Sequence, residues 1–112
     1  MSRDLDDATD ILTAARLAHS YIEGISYAEF MANTMRQDAI IRELLIMGEA
    51  AKRLSPDFKT QHPSIPWRQM AGMRDILVHA YHHVDVDEVW RVVTAELEPL
   101  IALIEPLIPA KD

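Results

Sequence analysis

Apolar residues recur at intervals of three and four along most of the chain, which is the spacing that places them on one face of an α-helix. The first repeat, within 4–24, comprises Leu5, Ala8, Leu12, Ala15 and Ile22. Further repeats predict helices over about 35–54, from 66 to a point between 80 and 84, and from a cap at 85 or 87 onward. The helix that begins at 66 is expected to direct inward Trp67, Met70, Met73, Ile76 and Leu77. No segment shows the sustained alternation typical of a β-strand, so the pattern predicts an all-α protein.

Capping residues and prolines mark where these helices should begin, end or bend. Ser55-Pro56 should end the second long helix and can begin a short turn of another, and Pro66 suits the first position of the next helix. The predicted caps are Ser26 with Glu29, Asn33, Ser64, and Asp85 or Asp87, of which Asp85 is followed by Glu88 at the third position. Pro99 lies inside the last helix and should kink it, because proline cannot donate a hydrogen bond to the carbonyl of Ala95. These signals predict an antiparallel bundle of four main helices plus short helical segments, in a single domain over 1–112.

The composition agrees with packed helices and limits the kinds of site and the cellular location that we expect for the protein. The 112 residues include only three glycines and no cysteine, which excludes disulfides and thiolate metal sites. One glycine, Gly48, falls in the apolar face of the second long helix and would permit a close helix crossing. The acidic N-terminus is unlike a signal peptide, and no apolar run approaches the roughly 20 residues that span a membrane. We therefore expect a soluble, cytoplasmic protein that does not contact membranes.

The charge of the chain is acidic overall but unevenly distributed. A net charge of −7 argues against sequence-blind adhesion to nucleic acid. Seven of the eleven basic residues nevertheless lie between Arg36 and Arg74, against four acids. This distribution fits a local basic surface, and it fits equally well helices that carry ordinary mixed charged faces.

The stretch Arg74-Asp75-Ile-Leu-Val-His79-Ala-Tyr81 concentrates chemically active side chains. Asp75 and His79 stand four residues apart on one helix face, where a carboxylate can orient an imidazole. Arg74 and His79 are about 140° apart round the helix, so one chain alone does not clamp a small group between them. The alternative is structural: a solvated charged face, with a histidine that stabilises the helix C-terminus.

The sequence does not predict a metal site. The candidate ligands are His79, His82, His83, Asp85 and Asp87. Helical bundles that bind two irons use Glu-x-x-His pairs, which this chain lacks. A glycine-rich phosphate loop is also absent, so we expect neither a metal ion nor another cofactor.

Arginine and histidine together suit the metal-free cleavage of an RNA phosphodiester. The reaction needs a base for the 2′-hydroxyl proton, an acid for the leaving oxygen and a cation near the phosphorane. Histidine titrates near neutrality and can act as base or acid. Arginine remains charged and offers a planar fork to phosphate oxygens. A two-fold dimer would place two copies of Arg74 and of His79 around one cleft.

The motif Arg74-Asp75-x-x-x-His79 resembles the Arg-polar-x-x-x-His motif of HEPN domains, all-helical proteins that include many metal-independent ribonucleases. With Tyr81 added, it resembles the HepT subfamily, the toxin half of HepT/MntA toxin–antitoxin pairs. Flanking segments are also similar to that subfamily, namely Ile40-Ile41-Arg42, the run from Met47 to Leu54, Pro66-Trp67-Arg68 and Ala71-Gly72-Met73.

The resemblance implies a role for each matched residue. Arg74 and His79 would be the catalytic pair at a homodimer interface, and Asp75 fills the polar position beside the arginine. Tyr81 matches the tyrosine that a cognate MntA-type nucleotidyltransferase antitoxin modifies with AMP. The remaining candidates for contact with RNA are Arg68, His82 and His83.

Two functions therefore remain open at the level of sequence. The first is the toxin of a type VII-like toxin–antitoxin pair, an endoribonuclease that an MntA-type antitoxin neutralises by AMPylation of Tyr81. The second is a non-catalytic HEPN-type dimeric binding module that engages a partner protein or a nucleotide.

Overall fold

The computed structural model describes residues 3–79 and 83–109, which form helices joined by short turns. The helices are α1 (Arg3–Ser20), α2 (Tyr27–Met31), α3 (Thr34–Arg53), α4 (Pro56–Gln61), α5 (Trp67–His79), α6 (Val86–Ala95) and α7 (Leu97–Ile104), followed by a 3₁₀ turn at Glu105–Leu107. The described residues contain no strand, so the predicted all-α fold is confirmed. None of the described helices is long and apolar enough to cross a membrane.

The caps predicted at Ser26, Asn33 and Asp85 are confirmed. The cap predicted at Ser64 is wrong, because α5 begins only at Trp67, directly after Pro66. Ser26 and Glu29 form a reciprocal capping box at the start of α2, with hydrogen bonds of 2.8 and 3.1 Å. The other caps are side-chain acceptors for backbone amides: Asn33 for Arg36 at 2.9 Å, Ser55 for Phe58 at 3.1 Å and Asp85 for Glu88 at 3.2 Å. Each satisfies an amide that the first helical turn leaves without a partner.

Two helix boundaries differ from those that the sequence predicted. The first helix ends at Ser20 rather than near Gly24, because the next amides bond three residues back in tight turns, Ile22 to His19 and Glu23 to Ser20. Gly24 itself has a φ of +73°, a conformation that glycine adopts without strain. The predicted kink at Pro99 is a full break, with α6 and α7 meeting at Glu96.

Helices α1 and α3 lie antiparallel, joined by polar contacts at both ends. Arg53 near the end of α3 donates to the buried Asp7 near the start of α1 at 3.0 Å. At the other end, Arg36 donates to the carbonyl of Tyr21, just after α1. Between these contacts the two helices bury most of the apolar faces that the sequence pattern predicted, but Leu5, in the first turn of α1, is 36% exposed. The buried residues include Ile11, Leu12, Ala15, Ile40, Leu44 and Met47.

Helix α5 packs against α3 through a seam of small and apolar residues. Of the residues expected to face inward, Trp67, Met70 and Leu77 are buried on the inner side of α5. The expectation was wrong for Ile76, which is 65% exposed, because one residue of helical rotation separates it from Leu77 and turns it away from α3. A methyl group at Gly48 of α3 would clash with the Cβ of Arg74 and lie 2.8 Å from the Met70 carbonyl oxygen. The close helix crossing predicted at Gly48 is therefore confirmed, and it sets how near α5 approaches α3.

Candidate functional site

The side chain of Arg74 lies in the seam between α5 and α3 and is 26% exposed. Its Nε forms an ion pair with Glu49 of α3. Its Nη1 donates to Oδ1 of Asp75 at 3.1 Å. The hydrogen bond to Asp75 and the negative charge of Glu49 together raise the pKa of the Arg74 guanidinium above its ordinary value. Arg74 is therefore a permanent cation, held in place by two carboxylates.

Asp75 bridges two cations through one oxygen. Lys52 Nζ donates to Asp75 Oδ1 at 2.8 Å, and Arg74 Nη1 contacts the same oxygen. The hydrogen bonds from Lys52 and Arg74 lower the pKa of the Asp75 carboxyl below its ordinary value of 3.8. Within the described part of the chain, Asp75 does not bond to His79, although their spacing would allow it. The carboxylate instead links α5 to α3.

His79 is the last residue of α5, and its side chain is exposed. At a spacing of four and three residues, Gly72, Ile76 and His79 share one side of the helix, which we call the outer face of α5. This side lies opposite the buried residues Met70 and Leu77. The two members of the predicted pair therefore diverge within one chain, as the spacing predicted: Arg74 is directed toward α3, and His79 is on the outer face.

The outer face of α5 is apolar and open. Ile76 is 65% exposed, and a methyl group built at Gly72 would meet no atom within 4 Å. Beside it runs a groove of about 370 Å³ between α5 and the pair α6 and α7, lined mainly by apolar side chains such as Met73, Val92 and Leu100. The described residues of this chain do not cover this surface.

The other predicted site residues lie apart from this seam. Arg68 is exposed on the first turn of α5, beside a shallow depression that it shares with Lys59. His83 is exposed shortly before α6. Tyr81 and His82 lie outside the described residues. Within 3–79 and 83–109, no group of three or more histidine, aspartate or glutamate side chains is arranged to hold a metal ion.

Glu49 and Lys52 are site residues to which the sequence pattern assigned no chemistry. They stand three residues apart on α3, on the side that meets α5. In the sequence they look like ordinary charged positions near a helix end. Their proximity to Gly48 was the available signal, since a close helix crossing brings neighbouring side chains into contact with the opposite helix.

Comparisons with known proteins converge on one family. The family described as Ribonuclease HepT-like matches residues 11–107. A probable ribonuclease HepT of Thermococcus cleftensis is 42% identical over 102 residues, which cover 91% of this chain and 93% of that protein. A predicted RNase of Methanocaldococcus jannaschii is 38% identical over 88 residues, covering 79% of this chain and 81% of its own length. No solved structure matches the chain.

Proposed function

Because the chain belongs to the HepT-like ribonuclease family, we propose that it is the toxin of a type VII-like toxin–antitoxin pair, an endoribonuclease that cleaves RNA with Arg74 and His79. The observation that carries this proposal is that α5 carries both a permanently charged arginine, Arg74, and an exposed histidine, His79, beside apolar surface that the described residues leave uncovered. The substrate class is RNA, and the reaction requires no metal ion.

The proposed reaction divides the chemistry between two histidines. One His79 removes the proton from a ribose 2′-hydroxyl, and the freed oxygen attacks the adjacent phosphorus. The bond from phosphorus to the 5′-oxygen then breaks, and the second His79 protonates that oxygen. The products are a 2′,3′-cyclic phosphate and a 5′-hydroxyl. General acid–base catalysis of this kind contributes roughly 10²–10⁴ in rate, and Arg74 stabilises the charge on the phosphorane.

A homodimer formed through the outer face of α5 would supply the second histidine. A two-fold axis beside Ile76 would bring the two His79 side chains, which share that face, toward a common cleft. Exposed apolar surface of this kind favours burial against another protein. Gly72 supports the same arrangement: glycine costs about 1 kcal/mol relative to alanine inside a helix, and among residues 3–79 and 83–109 no atom lies close enough to require it there.

The proposed partner that silences the toxin is an MntA-type nucleotidyltransferase that attaches AMP to Tyr81. The tyrosine follows His79 by two residues, so the modification would add negative charge and a bulky nucleoside next to the catalytic imidazole. An RNA phosphate would be repelled from that position and sterically excluded.

The nuclease proposal is tested by cleavage of RNA in the presence of EDTA. The wild-type protein should cleave, and the Arg74→Ala and His79→Ala variants should each lose about 100-fold or more of that activity. Arg3→Ala, at an exposed arginine that begins α1, is the control for loss of a surface cation. Equal cleavage by the His79→Ala variant would contradict the mechanism. A homogeneous wild-type protein that does not cleave would favour the binding-module alternative.

A further inference from the structure

We propose that Glu49 is the resting counter-ion of Arg74 and that an RNA phosphate displaces it on binding. This inference rests on the proposed ribonuclease function and assigns Glu49 a role in controlling access to the catalytic arginine.

An arginine can bind a phosphate through two parallel hydrogen bonds along either of two edges. One edge combines Nε with a terminal nitrogen, and the other combines the two terminal nitrogens. The carboxylate of Glu49 lies against the buried Nε as an ion pair without accepting a hydrogen bond from it, and Asp75 accepts a hydrogen bond from Nη1. Each edge of Arg74 therefore has one of its two nitrogens engaged by a carboxylate. A phosphate can form two parallel bonds only if one carboxylate withdraws.

Glu49 is the carboxylate that is more free to withdraw. Asp75 is the neighbour of Arg74 on α5 and is also held by Lys52 at 2.8 Å. Among the described residues, Glu49 has no ion pair or hydrogen bond except the one with Arg74, and its side chain is 44% exposed. Its carboxylate can therefore rotate into solvent without leaving a second partner unpaired, whereas displacing Asp75 would also release Lys52.

Displacement of Glu49 should oppose RNA binding but leave the bond-breaking step unchanged. Ion pairs at this degree of exposure change an equilibrium by a factor of about two to five. The effect should therefore appear in KM and in the dissociation constant of uncleaved RNA. Once the phosphate has replaced the carboxylate of Glu49, the guanidinium of Arg74 can donate the same hydrogen bonds to the phosphorane whether residue 49 is charged or neutral. The value of kcat should therefore hardly change.

The test compares the wild-type protein with Glu49→Gln, using a single-stranded RNA for cleavage and the 2′-O-methyl form of the same RNA for binding. Glu49→Gln should lower KM and the dissociation constant about two- to fivefold, with kcat unchanged within a factor of about two. Glu23→Gln, at an exposed residue in the turn after α1, makes the same change in net charge and should alter neither.

A double-mutant cycle separates this role from a purely structural one. In an Arg74→Ala background, Glu49→Gln should no longer tighten the binding of 2′-O-methyl RNA. Glu49→Asp provides a second variant, because its shorter side chain should withdraw from Nε and also lower KM. An unchanged KM, or a fall in kcat in a folded Glu49→Gln protein, would overturn the proposal. Absence of cleavage by the wild type would instead refute the nuclease function, and the binding measurements would still test the displacement.

Discussion

Gly48 of α3 lies directly against the side chain of Arg74 on α5, with no room for even a methyl group between them. The contact connects the packing of the bundle with the chemistry of the candidate site. It allows α5 to approach α3 closely enough for Glu49 and Lys52 to reach the Arg74–Asp75 pair. A change at Gly48 should therefore affect both stability and activity.

We predict that Gly48→Ala lowers the free energy of unfolding by about 1–2 kcal/mol. Overpacking this contact must shift α5 and costs up to about 3 kcal/mol, of which the better helix propensity of alanine offsets about 1 kcal/mol. Urea denaturation followed by circular dichroism measures the change. Cleavage of RNA should also fall, because the displaced helix carries Arg74.

Gly72→Ala is the matched control for this substitution. An added methyl group at Gly72 meets no atom of the described residues within 4 Å, so the protomer should be as stable as the wild type or more stable by up to about 1 kcal/mol. Both variants should be compared at low protein concentration, where association contributes least to stability. Equal destabilisation by the two substitutions would contradict the packing argument at Gly48.

Ile76→Asp should dissociate the proposed homodimer, because it places a charge in the centre of the outer face of α5. Light scattering coupled to size-exclusion chromatography should show a monomer, and RNA cleavage should be lost with the second His79. Met35→Asp is the control: Met35 is 85% exposed but lies about 20 Å from Gly48 along α3, and its substitution should leave the dimer intact. A dimeric Ile76→Asp protein would place the interface elsewhere.

The bridge at Asp75 should make stability depend on pH. The folded state lowers the pKa of this carboxyl below 3.8, so its contribution is present above that pH and is lost as the pH falls through the lower folded-state value. The wild type should therefore exceed Asp75→Asn in stability near neutrality, and the difference should vanish in acid. Urea titrations at a series of pH values measure it. A difference that persists in strong acid would show that the carboxylate charge is not its source.

Co-expression with an MntA-type nucleotidyltransferase should increase the mass of the protein by at least one AMP, located on Tyr81 by peptide mass spectrometry. Tyr81→Phe should remain unmodified and should resist neutralisation, because phenylalanine has no hydroxyl to accept the nucleotide. Tyr27→Phe, at an exposed tyrosine of α2, serves as the control and should be modified normally. Modification of the Tyr81→Phe variant at another residue would contradict the proposed switch.

The sequence by itself determined the features that depend on neighbours along the chain. The caps at Ser26, Asn33 and Asp85 join residues three apart, and Pro99 acts on the carbonyl four residues before it. The helical repeats and the divergence of Arg74 from His79 are also local. Such interactions follow from backbone geometry alone, so spacing was enough to predict them.

Only the tertiary structure decided which charges meet across helices. Asp75 lay within reach of His79 by spacing, yet it bonds to Lys52 of α3, and Glu49 pairs with Arg74 from the same helix. These contacts depend on the rotation and offset of α5 against α3, which the packing around Gly48 determines. The sequence does not distinguish a charged residue that faces solvent from one that faces another helix, because the surroundings of the residue are set only when the helices pack.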